Sequence, residues 1–507
     1  MRIAIRFAIV ALAAAQSAAA QPHGTLIYAN TASPGTLDPP MALSTFEIET
    51  EHQIFEGLLA PDEHFQPVPM LAAKLEVNAD ATIFSFTLRH GVKFQNGKAM
   101  TAADVLASFQ RYARISPNSA MLADVAGYDT PDPYIFVVRL KQPDAVFPNR
   151  LITSGYPLDI MPAEQLDKAP RDADIIGTGP FRLAEWQRDS YLLMRRYDGY
   201  LPDETQSGSV GYAGRKIVNI EAVRYNFVPE ANSRVAALKS GEADIAAVVP
   251  PELIKSVEAT PNLKVVAAYP GCMSVAFLHT QNPPTDNLAI RRAIAVAIDA
   301  DEVIEGAGQI ARTNSSLMYD DSPYYDKAVS APYYNQKSAA RAREFLAQGG
   351  YNGEKIVLQT NSTYAPMRDS TLVMLQQLKD AGMNAEVQVL DVAGNFLALQ
   401  RGTKNWNVNL SWFCSQPLLG PQQWKPFFYN FASVKDDAAL DDAFKRLAGS
   451  PKPEDRRRAW ADAEHDVMDK AYLMKLSDFA VPFGYNDKKI TGLVPWYTLR
   501  FWNVTIN

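Results

Sequence analysis

Only two cysteines occur among the 507 residues, Cys272 and Cys414, and the six histidines are scattered singly. No two histidines stand four apart around a glutamate, which excludes the zinc-protease arrangement, and no other cluster suggests a metal. There is no G-x-S-x-G elbow for an activated serine. Neither a G-x-x-x-x-G-K-[ST] phosphate loop nor a glycine-rich nucleotide fingerprint appears. The sequence therefore offers no catalytic motif, no metal site and no cofactor site, and we read it as a non-enzyme. It also lacks a basic run, and its net charge of −7 leaves no electrostatic footprint for nucleic acid. Beyond the N-terminus no segment approaches 18 uncharged apolar residues, so no membrane span is expected. Internal repeats and low-complexity tracts are absent as well.

What is present begins with Arg2 and Arg6, the apolar run Phe7–Ala15 and the small residues Ala18-Ala19-Ala20. This reads as a secretory signal peptide, residues 1–20, cleaved after Ala20. No cysteine follows it, so a diffusible periplasmic protein without a lipid anchor is expected. Loss of the two arginines takes the net charge from −7 to about −9. Hydrophobic residues make up 47% and charged residues 21%, a globular balance. At this length two lobes are expected, since single cores stop growing near ~250–300 residues. The two cysteines leave two readings, a disulfide or two buried thiols, and an oxidising compartment favours the first.

The most informative stretch is Ile83–Tyr112. Phe84, Phe86 and Leu88 alternate with Ser85, Thr87 and Arg89, a period of two that marks a strand with one buried face. Val92 and Phe94 resume the pattern, and Asn96-Gly97 predicts a tight hairpin turn with a positive-φ pair. Thr101 followed by Asp104 predicts a capping box, and Val105, Phe109 and Tyr112 form the apolar stripe of the helix it opens.

The residues of this stretch, LRHGVKF and then NGKAMTAADV, resemble the signature segment of the family 5 extracellular solute-binding proteins. Four further elements stand in the same order as in that family: Leu37-Asp38-Pro39, IFEGLL at Ile54–Leu59, Gly177-Thr178-Gly179-Pro180 and LKSGEADI at Leu238–Ile245. The resemblance implies an α/β fold of the two-lobe periplasmic binding protein type, large and three-domain, with two crossover hinge strands. Lobe I is expected over residues 21–271 with an extra subdomain, lobe II over 272–479, and a return to lobe I over 480–507. It also implies a monomeric receptor whose partners are a small-molecule solute and the membrane permease of an ABC importer. The first crossing is expected near Val265–Leu278. A strand–helix–strand unit is expected at Ile356–Gln359, Met367–Ala381 and Ala385–Leu390, with Leu372, Leu375 and Leu378 on the buried side of the helix.

Recognition residues are sought at strand ends, where a cleft can combine aromatic walls with a few placed polar groups. The segment Leu410–Pro417 is the leading candidate wall, with Trp412, Phe413, Ser415 and Gln416 as ligand contacts. In peptide-binding members the matching segment carries an aspartate for the peptide ammonium; Ser415 or Gln416 stands there in this chain. A neutral group gives up the charge-assisted bond, roughly twice as strong as a neutral one. That departure favours an opine or another amino-acid conjugate over a standard peptide; a di- or oligopeptide bound through its backbone is the alternative. Arg368 and Arg401 could offer a guanidinium fork to a carboxylate, with Tyr364 beside them. From lobe I, Phe46 and Glu47 are expected at the cleft. Glu47, Glu49 and Glu51 are spaced two apart, and residues i and i+2 of a helix do not share a face, so they read as a solvated surface. His279, alone on an apolar stretch, reads as a satisfied core or lobe-junction residue rather than a ligand. Cys272 and Cys414, if bridged, would tie the start of lobe II to this wall.

Overall fold

The computed structural model describes residues 24–507, apart from 43, 153, 154, 156, 206–208, 363, 401, 402, 404 and 415–419. The signal segment, Arg401, Ser415 and Gln416 thus lie outside the described residues. One mixed sheet runs through the molecule. Its strands are β1 (Thr25–Asn30), β2 (Phe181–Gln187), β3 (Tyr191–Arg196), β4 (Ala222–Phe227), β5 (Ile245–Ala247), β6 (Leu263–Leu278), β7 (Ala311–Arg312), β8 (Ile356–Asn361), β9 (Ala385–Leu390), β10 (Val408–Phe413) and β11 (Leu473–Asn486). Their spatial order is β9-β8-β10-β6-β11-β5-β1-β4-β3-β2, with β7 beside β11.

The long antiparallel pair β6–β11 joins the two lobes. Leu263–Ala268 pairs with Val481–Asn486 on one side, and Cys272–Phe277 pairs with Leu473–Phe479 on the other. Between them the register slips, so that Tyr269, Pro270 and Gly271 face Ala480 alone. Such a bulge bends a ladder locally, and here both crossing strands bend at one level. Lobe I holds β1–β5 and lobe II holds β8–β10.

The register also fixes where the strands point. In lobe I, β1, β4 and β5 are mutually parallel, and Ile245–Ala247 advances along β11 from Tyr485 to Phe483, towards the bulge. In lobe II, β8, β9 and β10 are parallel, and Val408–Phe413 advances along β6 from Leu278 to Met273, again towards the bulge. The carboxyl ends of two parallel strand sets therefore face each other across the crossing. Ligands of open α/β sheets bind outside such ends.

The signature segment builds the subdomain. Ile83–Leu88 is the expected strand, with Phe84, Phe86 and Leu88 buried in a four-stranded antiparallel sheet. In the turn only Gly97 takes a positive φ, +86°; Phe94 N–H donates to Lys98 O and Gly97 N–H to Phe94 O. This is a type I turn closed by a left-handed glycine, not the two-residue positive-φ turn that Asn96-Gly97 suggests. Helix α2 (Ala102–Ile115) opens with the capping box of Thr101 and Asp104 and buries Val105, Phe109 and Tyr112. Its Arg111 forms a bidentate pair with Asp38 of the opening turn, at 2.7 and 2.8 Å, both fully buried. Two of the sequence elements that carry the resemblance thus serve folding.

The Gly177–Pro180 segment does so too. Neither of its glycines has a positive φ; a Cβ on Gly177 would stand 2.0 Å from Ile54 O. Close backbone approach, not an unusual dihedral, requires glycine there. In lobe II, the helix Ala365–Asp380 crosses between the parallel strands β8 and β9 as expected. Leu378 is buried as expected, with Met367 and Met374, and Leu375 packs partly buried against the same core, whereas Leu372 is 46% exposed.

Candidate functional site

Where the opposed carboxyl ends meet, lobe II presents aromatic side chains. Opposite residues of paired strands share a face, so Trp412 lies beside Ser274, and Cys414, Cys272 and Phe479 continue that face. The Trp412 ring packs 4.9 Å from Phe479 and 5.3 Å from Tyr364, centroid to centroid. Tyr364 caps the N-terminus of the helix Ala365–Asp380 and is 44% exposed. A disulfide joins Cys272 to Cys414 across β6 and β10, immediately before residues 415–419. The corner is thus two strand ends, a helix start and a crossing strand, pinned together at the bulge.

The structure separates the other candidates. Phe413 alternates away from Trp412 and is 3% exposed, packed on Phe277, Trp424, Phe427 and Phe431. It belongs to the core, as strand alternation requires, and not to the wall. Arg368 is half-exposed and its guanidinium pairs with the adjacent Asp369 at 3.0 Å. Phe46 is partly buried on helix α1 (Thr45–Ile54). Glu47 closes the capping box of that helix: its carboxylate accepts from Gly35 N–H (3.0 Å), Thr36 N–H (3.2 Å) and Ser44 N–H (2.9 Å). Those bonds fold the opening loop onto the helix, so Glu47 is a cap and not a ligand carboxylate. His279 is buried, as expected: its Nδ1 accepts Gln281 N–H, and its ring meets Trp406 edge-on at 4.8 Å.

The largest departure concerns Glu49 and Glu51, which are not solvated at all. Helix α1 is enclosed by the main sheet, the subdomain and the C-terminal segment, so both carboxyls are buried; Leu499 N–H donates to Glu49 at 3.1 Å. Burial raises Glu49 to about 8 and pushes Glu51 well above the usual carboxylate range. It raises Asp159 and Glu464 to about 7 each, with Lys216 opposing the rise at Asp159 and Leu317 N–H opposing it at Glu464. His52, on the same helix, is driven down to about 3 by burial and then by Lys216.

Stability against pH follows with a definite sign. A carboxyl raised in the folded state contributes stability below its unfolded value and loses it as pH climbs to the folded value. His52, being lowered, acts oppositely, and its contribution is lost on acidification from its ordinary value towards 3. Between pH 5 and 8 the carboxyls outnumber it, and the melting temperature should fall across that window. Glu49→Gln should flatten part of the fall; a wild-type profile that is level or rising would contradict it.

Among the described residues, no group of His, Cys, Asp and Glu could hold a metal ion, and no helix is long and apolar enough to cross a membrane. From lobe I the sequence offered Phe46 and Glu47 and did not single out the strand ends. Asn30, Val228 and Val248 end or follow β1, β4 and β5, and Val248 is 40% exposed. The strand pattern of Ile245–Ala247 was the available signal for its carboxyl end.

Comparison with known proteins adds three kinds of likeness. Residues 66–434 match the family described as bacterial extracellular solute-binding proteins, family 5 Middle. The glutathione-binding protein GsiB of Salmonella paratyphi A is 25% identical over 450 residues, covering 85% of this chain and 84% of that protein. The structure of AgaA from A. tumefaciens R10 in complex with agropinic acid aligns at a TM-score of 0.75 with 22% identity, over 96% of this chain and 99% of the other. DppA from Helicobacter pylori in complex with the peptide STSA aligns at 0.75 with 21% identity, over 96% and 98%.

Proposed function

Because this chain belongs to the family 5 bacterial extracellular solute-binding proteins, receptors of ABC importers and not enzymes, we propose that it captures a small amino-acid conjugate, an opine or a similarly linked molecule. The solute would enter between the facing strand ends, stack on the Trp412–Tyr364 wall and be enclosed as β6 and β11 flex at their shared bulge. The closed form would then dock to the permease. The observation that carries this reading is the aromatic corner of Tyr364, Trp412 and Phe479, held beside the crossing strands.

The solute class rests on sequence. By the family resemblance, Ser415 or Gln416 would stand where a peptide receptor offers a carboxylate, so an α-ammonium would meet no counter-charge from either residue. The likeness to AgaA in complex with agropinic acid agrees with this class, whereas the likeness to the glutathione-binding protein GsiB agrees with a peptide-type solute. The likeness to a peptide-bound DppA keeps a di- or oligopeptide as the second reading.

The lobes would divide at 21–271, 272–479 and 480–507, a division supported by the Cys272–Phe479 rung at the edge of the bulge. Residues 1–20 would be removed on export, leaving a monomeric periplasmic receptor. Thermal shift against agropinic acid, octopine, reduced glutathione, di- and tetra-alanine and an iron–EDTA chelate tests the class. Stabilisation by a conjugate is expected; stabilisation by the alanine peptides alone would overturn the preference.

A further inference from the structure

Arg234 sits on helix α3 (Ala231–Ser240), is 3% exposed, and gives its hydrogen bonds to backbone carbonyls. Nε donates to Ala247 O (2.8 Å), Nη1 to Val228 O (2.8 Å) and Pro229 O (2.7 Å), and Nη2 to Val248 O (3.2 Å). These four acceptors lie at the last residue of β5 and in the two loops that leave β4 and β5, all at the carboxyl ends of the lobe I strands. The same loops are tied to their neighbours: Val228 N–H donates to Asn30 O at the end of β1, and Val249 N–H to Pro482 O of the crossing strand β11. One buried guanidinium therefore sets the carboxyl ends of the parallel strands of lobe I relative to one another. A planar fork with five donors can do this where an ammonium cannot.

At the centre of that rack lies a strained residue. Val248 has φ +49° and is 40% exposed. A β-branched side chain in the left-handed region is a true outlier, and such strain persists only where surrounding contacts enforce it. Here those contacts are visible: Arg234 holds the carbonyls of residues 247 and 248, and Pro482 O holds the next amide. The enforced conformation turns an apolar side chain out of lobe I at the strand end that faces lobe II.

We infer that Val248 is a solute contact of the lobe I wall and that Arg234 is the positioning residue that holds it there. This rests on the receptor reading above and extends it: the solute presents an alkyl or other apolar surface to lobe I while it stacks on Trp412 in lobe II. Arg234 touches no solute and acts through the loop.

Val248→Gly and Val248→Ala both remove the γ-methyls, so solute-free melting temperatures compare their backbones. Glycine accepts a φ of +49° without a Cβ penalty, so Val248→Gly should melt above Val248→Ala. The reverse order, normal for a relaxed position, would overturn the inference. In titrations with agropinic acid and with reduced glutathione, Val248→Ala should weaken binding by roughly tenfold. Arg234→Lys should cost about as much in the wild type but less than about twofold in the Val248→Ala background, since the two act as one unit. Equal losses in both backgrounds would show a general structural role and would overturn the positioning claim. A wild type that binds neither compound counts against the proposed solute class, and the melting order still decides whether residue 248 is held under strain.

Discussion

Trp412→Ala is expected to weaken solute binding by roughly 30-fold or more, the loss typical of a central aromatic anchor worth at least ~2 kcal/mol. The fold should survive. Trp412 touches Tyr364 and Phe479 at the cleft edge of the lobe II core and is only partly buried, so its removal forfeits apolar contact without breaking a polar network. A stability cost of about 1–3 kcal/mol is expected, within the range for losing part of a large aromatic from a partly exposed site. Trp412→Phe should recover a good part of the affinity because it restores a stacking face. Titration calorimetry with the compound that stabilises the wild type measures both effects, and an unchanged affinity for Trp412→Ala would remove this strand end from the site.

The disulfide carries the second large effect. Cys272 and Cys414 are 142 residues apart in sequence, and closing so long a loop restricts the unfolded chain severely. The chain-entropy argument gives about 5 kcal/mol as an upper figure, with roughly 2–5 commonly realised. Cys272→Ser should accordingly lower the melting temperature by about 2–5 °C in a protein of this size. Binding should weaken too, since Cys414 fixes the β10 end beside Trp412 and directly before residues 415–419. Thiol titration of denatured, unreduced protein should find no free cysteine; two titrating thiols would contradict the bridge.

Much of the fold could be read from local pattern because local chemistry decides it. The alternation of Ile83–Leu88, the Thr101–Asp104 box and the apolar run through Leu278 each correspond to an observed element. The errors share a cause. Helical spacing alone sends Glu47, Glu49 and Glu51 to solvent, which holds only where a helix has a wet side. Helix α1 has almost none, because the sheet, the subdomain and the Leu499–Phe501 segment close over it. Phe413 was grouped with Trp412 by proximity in sequence, although strand alternation already sends them to opposite faces. Arg234 shows the converse limit. Its helix is legible, but nothing in the linear order says that one guanidinium gathers carbonyls from two loops. The family elements mostly fasten the frame, as the buried Asp38–Arg111 pair shows. Specificity has to come from the strand ends.

Native mass spectrometry of the purified receptor, wild type beside Trp412→Ala, tests the central claim most directly. The wild type should carry a small organic solute that fragments as an amino-acid conjugate, and the variant should have lost it. A bound mass that fragments as an ordinary peptide, or one retained undiminished by Trp412→Ala, would contradict the account.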